Sequence, residues 1–152
     1  MSGVDTGQYS ELQRRTLVLT FSYLVVLTLI AFWPSRVDRD AGDLLGSVVG
    51  WLHRHGAPPW MHYDAIEFGA NIALFLPVGL FVVILAGASR WWLGLLVGLT
   101  SSCVIELGQL AFVPDRFATV NDVVANTAGA TAGAAAAVLL LLALGVPADR
   151  RL

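Results

Sequence analysis

The sequence carries little charge for its length. Charged residues make up 13% of the 152 positions, and lysine does not occur at all, whereas a soluble domain has roughly 25% charged residues. The net charge is −2, and 57% of the residues are hydrophobic. This composition excludes a disordered chain and a nucleic-acid-binding protein with a basic face, and it argues strongly against a soluble enzyme.

Cysteine is equally scarce, since Cys103 is the only one. A lone cysteine cannot form a disulfide within the chain, which argues against a small secreted scaffold. We expect Cys103 to be a small packing residue. His53, His55 and His62 lie close together in the sequence, but without cysteines or a second clustered motif they are better explained as loop histidines than as metal ligands. The sequence therefore predicts no metal and no cofactor.

Long segments without charge indicate where the chain meets the membrane. An α-helix needs about 20 apolar residues to cross the hydrocarbon core, and strands of this length cannot satisfy their backbone groups there. Four segments meet this requirement, 16–35, 68–89, 91–114 and 123–148, and only the third contains a charged residue, Glu106. The sequence predicts an all-α membrane protein, a bundle of four transmembrane helices at about 16–33, 66–87, 91–113 and 123–145.

The first helix follows Arg14 and Arg15, as a secretory signal would, but it is long for one and ends without a small-residue cleavage site. We therefore expect a retained helix. Apolar residues at helical spacing after it predict a short amphipathic interfacial helix at about 41–54, with Trp51 and Trp60 near the lipid headgroups. The whole chain, 1–152, is predicted to form one membrane domain.

Several polar residues fall inside or next to these apolar helices. A carboxylate such as Glu106 costs roughly 2.5–3.5 kcal/mol within a membrane helix and so needs a partner or a purpose. In an alternating bundle, the start of the second helix, the end of the third and the start of the fourth meet on one side of the membrane. The sequence predicts a polar cluster and candidate ligand-binding site there, made of Glu67, Asn71, Glu106, Gln109, Arg116, Asp122 and Asn126.

Each of these residues also has a purely structural interpretation. Carboxylates at helix N-termini, such as Glu67 and Asp122, are favoured by the helix dipole, and amides commonly bond between membrane helices. Arg116 is predicted to bridge Glu106 and Asp122. The bridge would be either direct or through Gln109 and Asn126. This arginine would either hold an anionic headgroup or only close the bundle.

Small residues and caps predict how the last two helices begin and pack. Asn121 or Asp122 is expected to cap the fourth helix. Glycines recur at four-residue spacing in both helices and would let them approach closely, which predicts a contact through Gly94, Gly98, Gly129 and Gly133.

Taken together, three motifs resemble the VanZ-like family of small bacterial membrane proteins, which are named after a teicoplanin-resistance accessory protein. The motifs are N-x5-P-x-G from Asn71, E-x-x-Q from Glu106 and R-x5-D-x3-N-x2-G-x3-G from Arg116. The resemblance covers about residues 60–140 and implies an association with the cell envelope and glycopeptide resistance. The chain departs from the family at Thr119, where an acidic residue is common.

Three functions are compatible with this pattern. The first is a cell-envelope protein that binds an amphiphilic or anionic ligand at the outer leaflet: a membrane lipid, a lipid-linked envelope precursor or a lipoglycopeptide. The second is a membrane-embedded enzyme acting on such a precursor, with Glu106 as the candidate catalytic acid or base. The third is a subunit of an oligomeric transporter, since the glycines could also pack copies into a homo-oligomer. A nucleic-acid partner is not expected.

The arginines predict the orientation in the bacterial cell membrane. Five of them, including Arg90, would lie inside if the N-terminus is cytoplasmic, against four outside, and the inside ones adjoin helix ends. We expect both termini to be cytoplasmic, so alkaline phosphatase fused within 36–64 should be active and a C-terminal fusion should be inactive. The reverse pattern would contradict this orientation.

Overall fold

The computed structural model describes residues 6–32, 46–47, 49–56, 58, 62–112 and 119–146. Within these ranges the chain is helical and contains no strand. A short 3-10 helix, Ala88–Arg90, joins the second and third of the predicted transmembrane helices. The α-helices are α1 (Thr6–Ala31), α2 (46–47 and 49–54), α3 (Tyr63–Ala86), α4 (Trp92–Phe112) and α5 (Val120–Ala143).

Four of these helices are long and apolar enough to cross a membrane, which confirms the predicted all-α, four-helix membrane fold. The spans are Tyr9–Ala31, Asp64–Ala86, Trp92–Phe112 and Val120–Ala143. The short helix expected between the first two spans is present as α2, where the Trp51 ring stacks on His55 at 4.1 Å between centroids. The rest of its predicted range, 41–45 and 48, lies outside the described residues.

The helix α1 begins at Thr6, well before the charge-free segment that starts at Thr16. Its first turns precede that segment and lie against the end of α3. Tyr9 donates a hydrogen bond to the Ile84 carbonyl at 3.0 Å, and Gln13 donates one to the Leu85 carbonyl at 3.1 Å. Carbonyls in the last turn of a helix have no intrahelical donor, so these contacts satisfy them. The absence of charge therefore predicted the membrane-spanning part of α1 but not the residue at which the helix begins.

Glycine brings the backbones of α3 and α5 into direct contact. A Cβ built on Gly79 would lie 1.8 Å from the Ala130 carbonyl oxygen, and one on Gly133 would lie 1.9 Å from the Leu76 carbonyl oxygen. Gly129 is similarly close to Ile72. No side chain fits between the two helices at these positions. The prediction that Gly129 and Gly133 face α4 is therefore wrong.

The helix α4 packs on a neighbouring face of α5. A Cβ on Gly94 would lie 2.6 Å from the Ala134 Cβ, and one on Gly98 would lie 2.3 Å from the Ala130 Cβ. The glycines of α4 therefore contact α5 as expected, but they meet alanines there. Consecutive residues on an α-helix are about 100° apart, so glycines on one face of α5 and alanines on the next can serve two different partners.

The helix α1 is the most peripheral of the four spans. Near the middle of the span the Tyr23 hydroxyl donates to the Leu74 carbonyl, which neighbours the Ala73 carbonyl that Pro77 leaves without its usual donor. The apolar side chains on the opposite face of α1 are exposed, as expected for a lipid-facing surface. Cys103 on α4 is also exposed, so the expectation that it packs inside the protein is wrong.

The contact between α3 and α5 can be tested by adding a single methyl group. Gly79→Ala should abolish the folded, monodisperse protein, because the added Cβ would collide with backbone rather than with a movable side chain. Gly69→Ala is the matched control on α3, since nothing lies within 4 Å of a Cβ there. Size-exclusion chromatography in mild detergent measures the yield, and equal yields for the two variants would contradict the packing.

Candidate functional site

Polar side chains collect where α3 begins, α4 ends and α5 begins. They form two layers about one helical turn apart. The outer layer contains Asn71, Glu106, Thr119 and Asp122, and we call it the carboxylate layer. The inner layer contains Ser102 and Asn126, both buried, and lies between α4 and α5.

Thr119 is the N-cap of α5. Its hydroxyl accepts a hydrogen bond from the Asp122 backbone N–H at 3.1 Å and donates one to Asp122 Oδ2 at 2.8 Å. The helix therefore begins at Val120, three residues before the predicted start at 123, and the predicted cap at Asn121 or Asp122 is wrong. The pattern Thr-x-x-Asp resembles a capping box, in which the N-cap residue and the residue three places later bond to each other.

Glu106 accepts the hydrogen bond that the acidic residue of a capping box would accept. In a capping box the acidic side chain bonds the backbone N–H of the cap residue. Here the Thr119 N–H instead donates to Glu106 Oε2 on α4, at 3.1 Å. Glu106 is 6% exposed, so this bond joins a buried carboxylate to the positive end of the α5 dipole. The N-terminus of α5 thus supplies a hydrogen-bond donor to a carboxylate that lies within a membrane span.

Asp122 connects the same layer to α3. Asn71 Nδ2 donates to Asp122 Oδ1 at 2.6 Å, so Asp122 accepts bonds from α3 as well as from Thr119. A continuous series of hydrogen bonds runs from Asn71 through Asp122 and Thr119 to Glu106. Three helices and two carboxylates are therefore held in one arrangement.

The inner layer lies one turn deeper on the same faces of the helices. Asn126 follows Asp122 by four residues, and Ser102 precedes Glu106 by four. Asn126 Nδ2 donates to Ser102 Oγ at 2.9 Å, and the two residues are 5% and 0% exposed. The partner of the only buried serine in this cluster is thus an amide, which cannot act as the base that a catalytic serine requires.

Gln109 is buried next to this cluster but belongs to a different contact. Its Nε2 donates to the Ala31 carbonyl at 2.8 Å, so it holds the C-terminus of α1 against α4. The Phe32 ring lies close to Gly108 at the same junction. Gln109 and Asn126 donate to Ala31 and Ser102 respectively, and their predicted role as links to Arg116 stays a prediction.

The remaining predicted site residues are placed as follows. Glu67 is exposed on α3, one turn before Asn71. Arg116 lies outside the described residues, so its bridge between Glu106 and Asp122 stays a prediction. Within the described ranges, no three His, Cys, Asp or Glu side chains are arranged to hold a metal ion. The structure thus brings together Asn71, Glu106 and Asp122 and places Asn126 directly beneath them.

Thr119 is the member of the carboxylate layer that was not predicted from the sequence. It appeared there only as a departure from the family pattern. The spacing Thr119-x-x-Asp122 was the available signal, because a threonine three residues before an acidic residue is typical of a helix start. Its second role, the bond to Glu106, depends on the approach of α4 and cannot be predicted from local sequence.

The cap can be tested by a substitution that removes only its side-chain bonds. Thr119→Ala should lower the free energy of unfolding by about 0.5–2 kcal/mol, because the Asp122 N–H loses its acceptor. Thr119→Ser keeps the hydroxyl and should stay close to the unaltered protein. Thermal unfolding in detergent measures both variants, and an unchanged melting temperature for Thr119→Ala would contradict the capping role.

Comparison with known proteins identifies the family. No curated protein and no solved structure matches the chain significantly. The sequence does match the VanZ/LLP1 family over residues 20–142, which is well over half of the chain and includes every residue of both polar layers. The resemblance seen in the motifs is confirmed, and the chain is a multi-pass membrane protein that belongs to the VanZ/LLP1 family.

Proposed function

We propose that this protein is a non-catalytic component of the bacterial cell envelope that binds the headgroup of an amphiphile at the carboxylate layer. The observation that carries the proposal is the position of that layer. Thr119 and Asp122 lie at the start of α5, where lipid headgroups are expected, and Asn71 and Glu106 lie about two turns inside the ends of their spans. An amphiphile could place its polar part against these residues and its apolar part along the exposed helix faces.

The distribution of polarity supports binding at one end of the bundle rather than passage through it. Towards the other end, the buried cluster shared by α1, α3 and α5 consists of Val83, Ile84, Ala134, Leu141 and similar apolar residues, with Tyr9 at its edge. A transport pathway needs polar groups along its length. Among the described residues, this cluster offers no such continuation from the inner layer, which is why we favour binding over the transporter hypothesis.

The groups in the site suit a ligand that donates hydrogen bonds. The carboxylates Glu106 and Asp122 only accept when ionised, and hydroxyl or ammonium groups are their natural partners. Anionic ligands would depend on Arg116, which adjoins this end of α4 in the sequence. Lipid headgroups and lipid-linked sugar precursors carry both kinds of group, and a lipoglycopeptide does as well. We propose these three classes as ligands and glycopeptide resistance as the associated phenotype.

The enzyme hypothesis depends on Glu106. A buried carboxylate can serve as a general acid or base. The amide partner of Ser102 supplies no activated nucleophile beside it. The arrangement therefore supports binding better than catalysis.

The proposal can be tested by native mass spectrometry of the protein in mild detergent, with phosphatidylglycerol and a polyprenyl-diphosphate sugar added as probes. Glu106→Gln keeps the volume and an acceptor oxygen but removes the charge, and it should weaken probe retention about tenfold, since a bond to a charged group contributes roughly 1.5 kcal/mol or more. Glu11→Gln is the matched control, because Glu11 is an exposed carboxylate at the other end of the bundle.

The outcomes are distinct. Weaker retention by Glu106→Gln alone supports binding at the carboxylate layer. Equal retention by the unaltered protein and both variants would contradict it. A probe that changes mass after incubation with the unaltered protein but not with Glu106→Gln would instead favour the membrane enzyme.

A further inference from the structure

Two buried polar atoms in α5 lack the partners that a membrane interior makes necessary. Asn126 is 5% exposed, and although its Nδ2 bonds Ser102, no donor in the described part of the chain reaches its Oδ1. The buried side-chain oxygen of Thr127 likewise has no hydrogen-bond partner among those residues. Turning the Asn126 amide over would only exchange its ends and leave the other one unpaired.

Three other threonines show how a hydroxyl within a membrane helix can be satisfied. A threonine in a helix ordinarily bonds the carbonyl one turn earlier. Thr20, Thr28 and Thr131 all do so, at 2.7–2.8 Å, and Thr131 bonds the carbonyl of Thr127 itself. The Thr127 hydroxyl makes no such bond, so it remains available to a partner outside its own helix.

Both atoms belong to the surface of α5 that faces α4. Asn126 is bonded to Ser102 on α4, and a Cβ built on Gly98, one turn before Ser102, would lie 4.0 Å from the Thr127 Cα. A Cβ on Gly98 would also lie only 2.3 Å from the Ala130 Cβ, so the two helices pack closely beside these groups. The unpartnered groups therefore lie on one interface, about a turn below Glu106.

Buried polar groups that find no protein partner are commonly satisfied by a bound molecule, because hydrocarbon offers them nothing. We propose that Asn126, Thr127 and Ser102 form a buried binding site for a single hydroxyl group. A hydroxyl fits because it can donate to Asn126 Oδ1 and accept from the Thr127 hydroxyl. The hydroxyl comes either from a water molecule or from the headgroup of an amphiphile. The site does not depend on the proposed function, since water alone would satisfy it.

The test compares the same substitution at two positions one turn apart. Thr127→Val keeps the shape and removes the hydroxyl, and it should lower the melting temperature by about 2–4 °C, the shift expected from losing one hydrogen bond. Thr131→Val is the control, because its hydroxyl bonds only its own helix. Thr127→Ser keeps the hydroxyl, so failure of Thr127→Val to fold while Thr127→Ser folds would also count as the expected loss.

The source of the hydroxyl is distinguished by the surroundings of the protein. The comparison is made in lauryldimethylamine oxide, which has no hydroxyl, and again after adding phosphatidylglycerol, which has hydroxyls in its headgroup, or phosphatidylcholine, which has none. A difference between the two valine variants in detergent alone indicates water. A difference that appears only with phosphatidylglycerol indicates a headgroup.

One result would overturn the proposal. If Thr127→Val is as stable as Thr131→Val, or more stable, under all three conditions, then the hydroxyl of Thr127 has no partner to lose. The interface between α4 and α5 would then hold no bound hydroxyl group. Removing an unpaired polar group from it would stabilise the protein rather than destabilise it.

Discussion

The direct contact between the backbones of α3 and α5 is the constraint on which the polar end of the bundle depends. Asn71 and Asp122 have short side chains, and they bond across the two helices at 2.6 Å. This is possible because Gly79 and Gly133 leave no side chain between the helices. With larger residues at these glycines the helices would separate, and the carboxylate layer would lose its link to α3. The small residues therefore serve both the packing and the geometry of the candidate site.

The fold could be predicted from the sequence because lipid imposes a simple requirement on it. Segments without charge gave four spans, and the structure has four helices in those regions. The ends of the helices were less predictable, because they depend on contacts between helices and on capping rather than on the length of an apolar segment. α1 begins early since Tyr9 and Gln13 satisfy carbonyls at the end of α3, and α5 begins early since Thr119 caps it.

The candidate site was predictable as a group of residues but not as a set of bonds. Because successive membrane helices run in opposite directions, the sequence alone placed Asn71, Glu106 and Asp122 at one end of the bundle. Which atoms bond each other depends on the direction in which each side chain points. Neighbouring positions on a helix differ by about 100°, and packing determines how each helix is rotated about its axis. Gln109 illustrates the difference, because it shares a face of α4 with Glu106 and yet bonds α1.

The way in which α1 is attached has a consequence for how this sequence can change. Tyr9, Gln13 and Tyr23 all bond backbone carbonyls of α3, and Gln109 bonds a backbone carbonyl of α1. A backbone carbonyl is present whatever the residue that carries it. Mutation can therefore alter a partly exposed residue such as Leu85 without removing the acceptor, whereas the four donor side chains have no such freedom. Evolutionary drift should be concentrated on the accepting side of each contact.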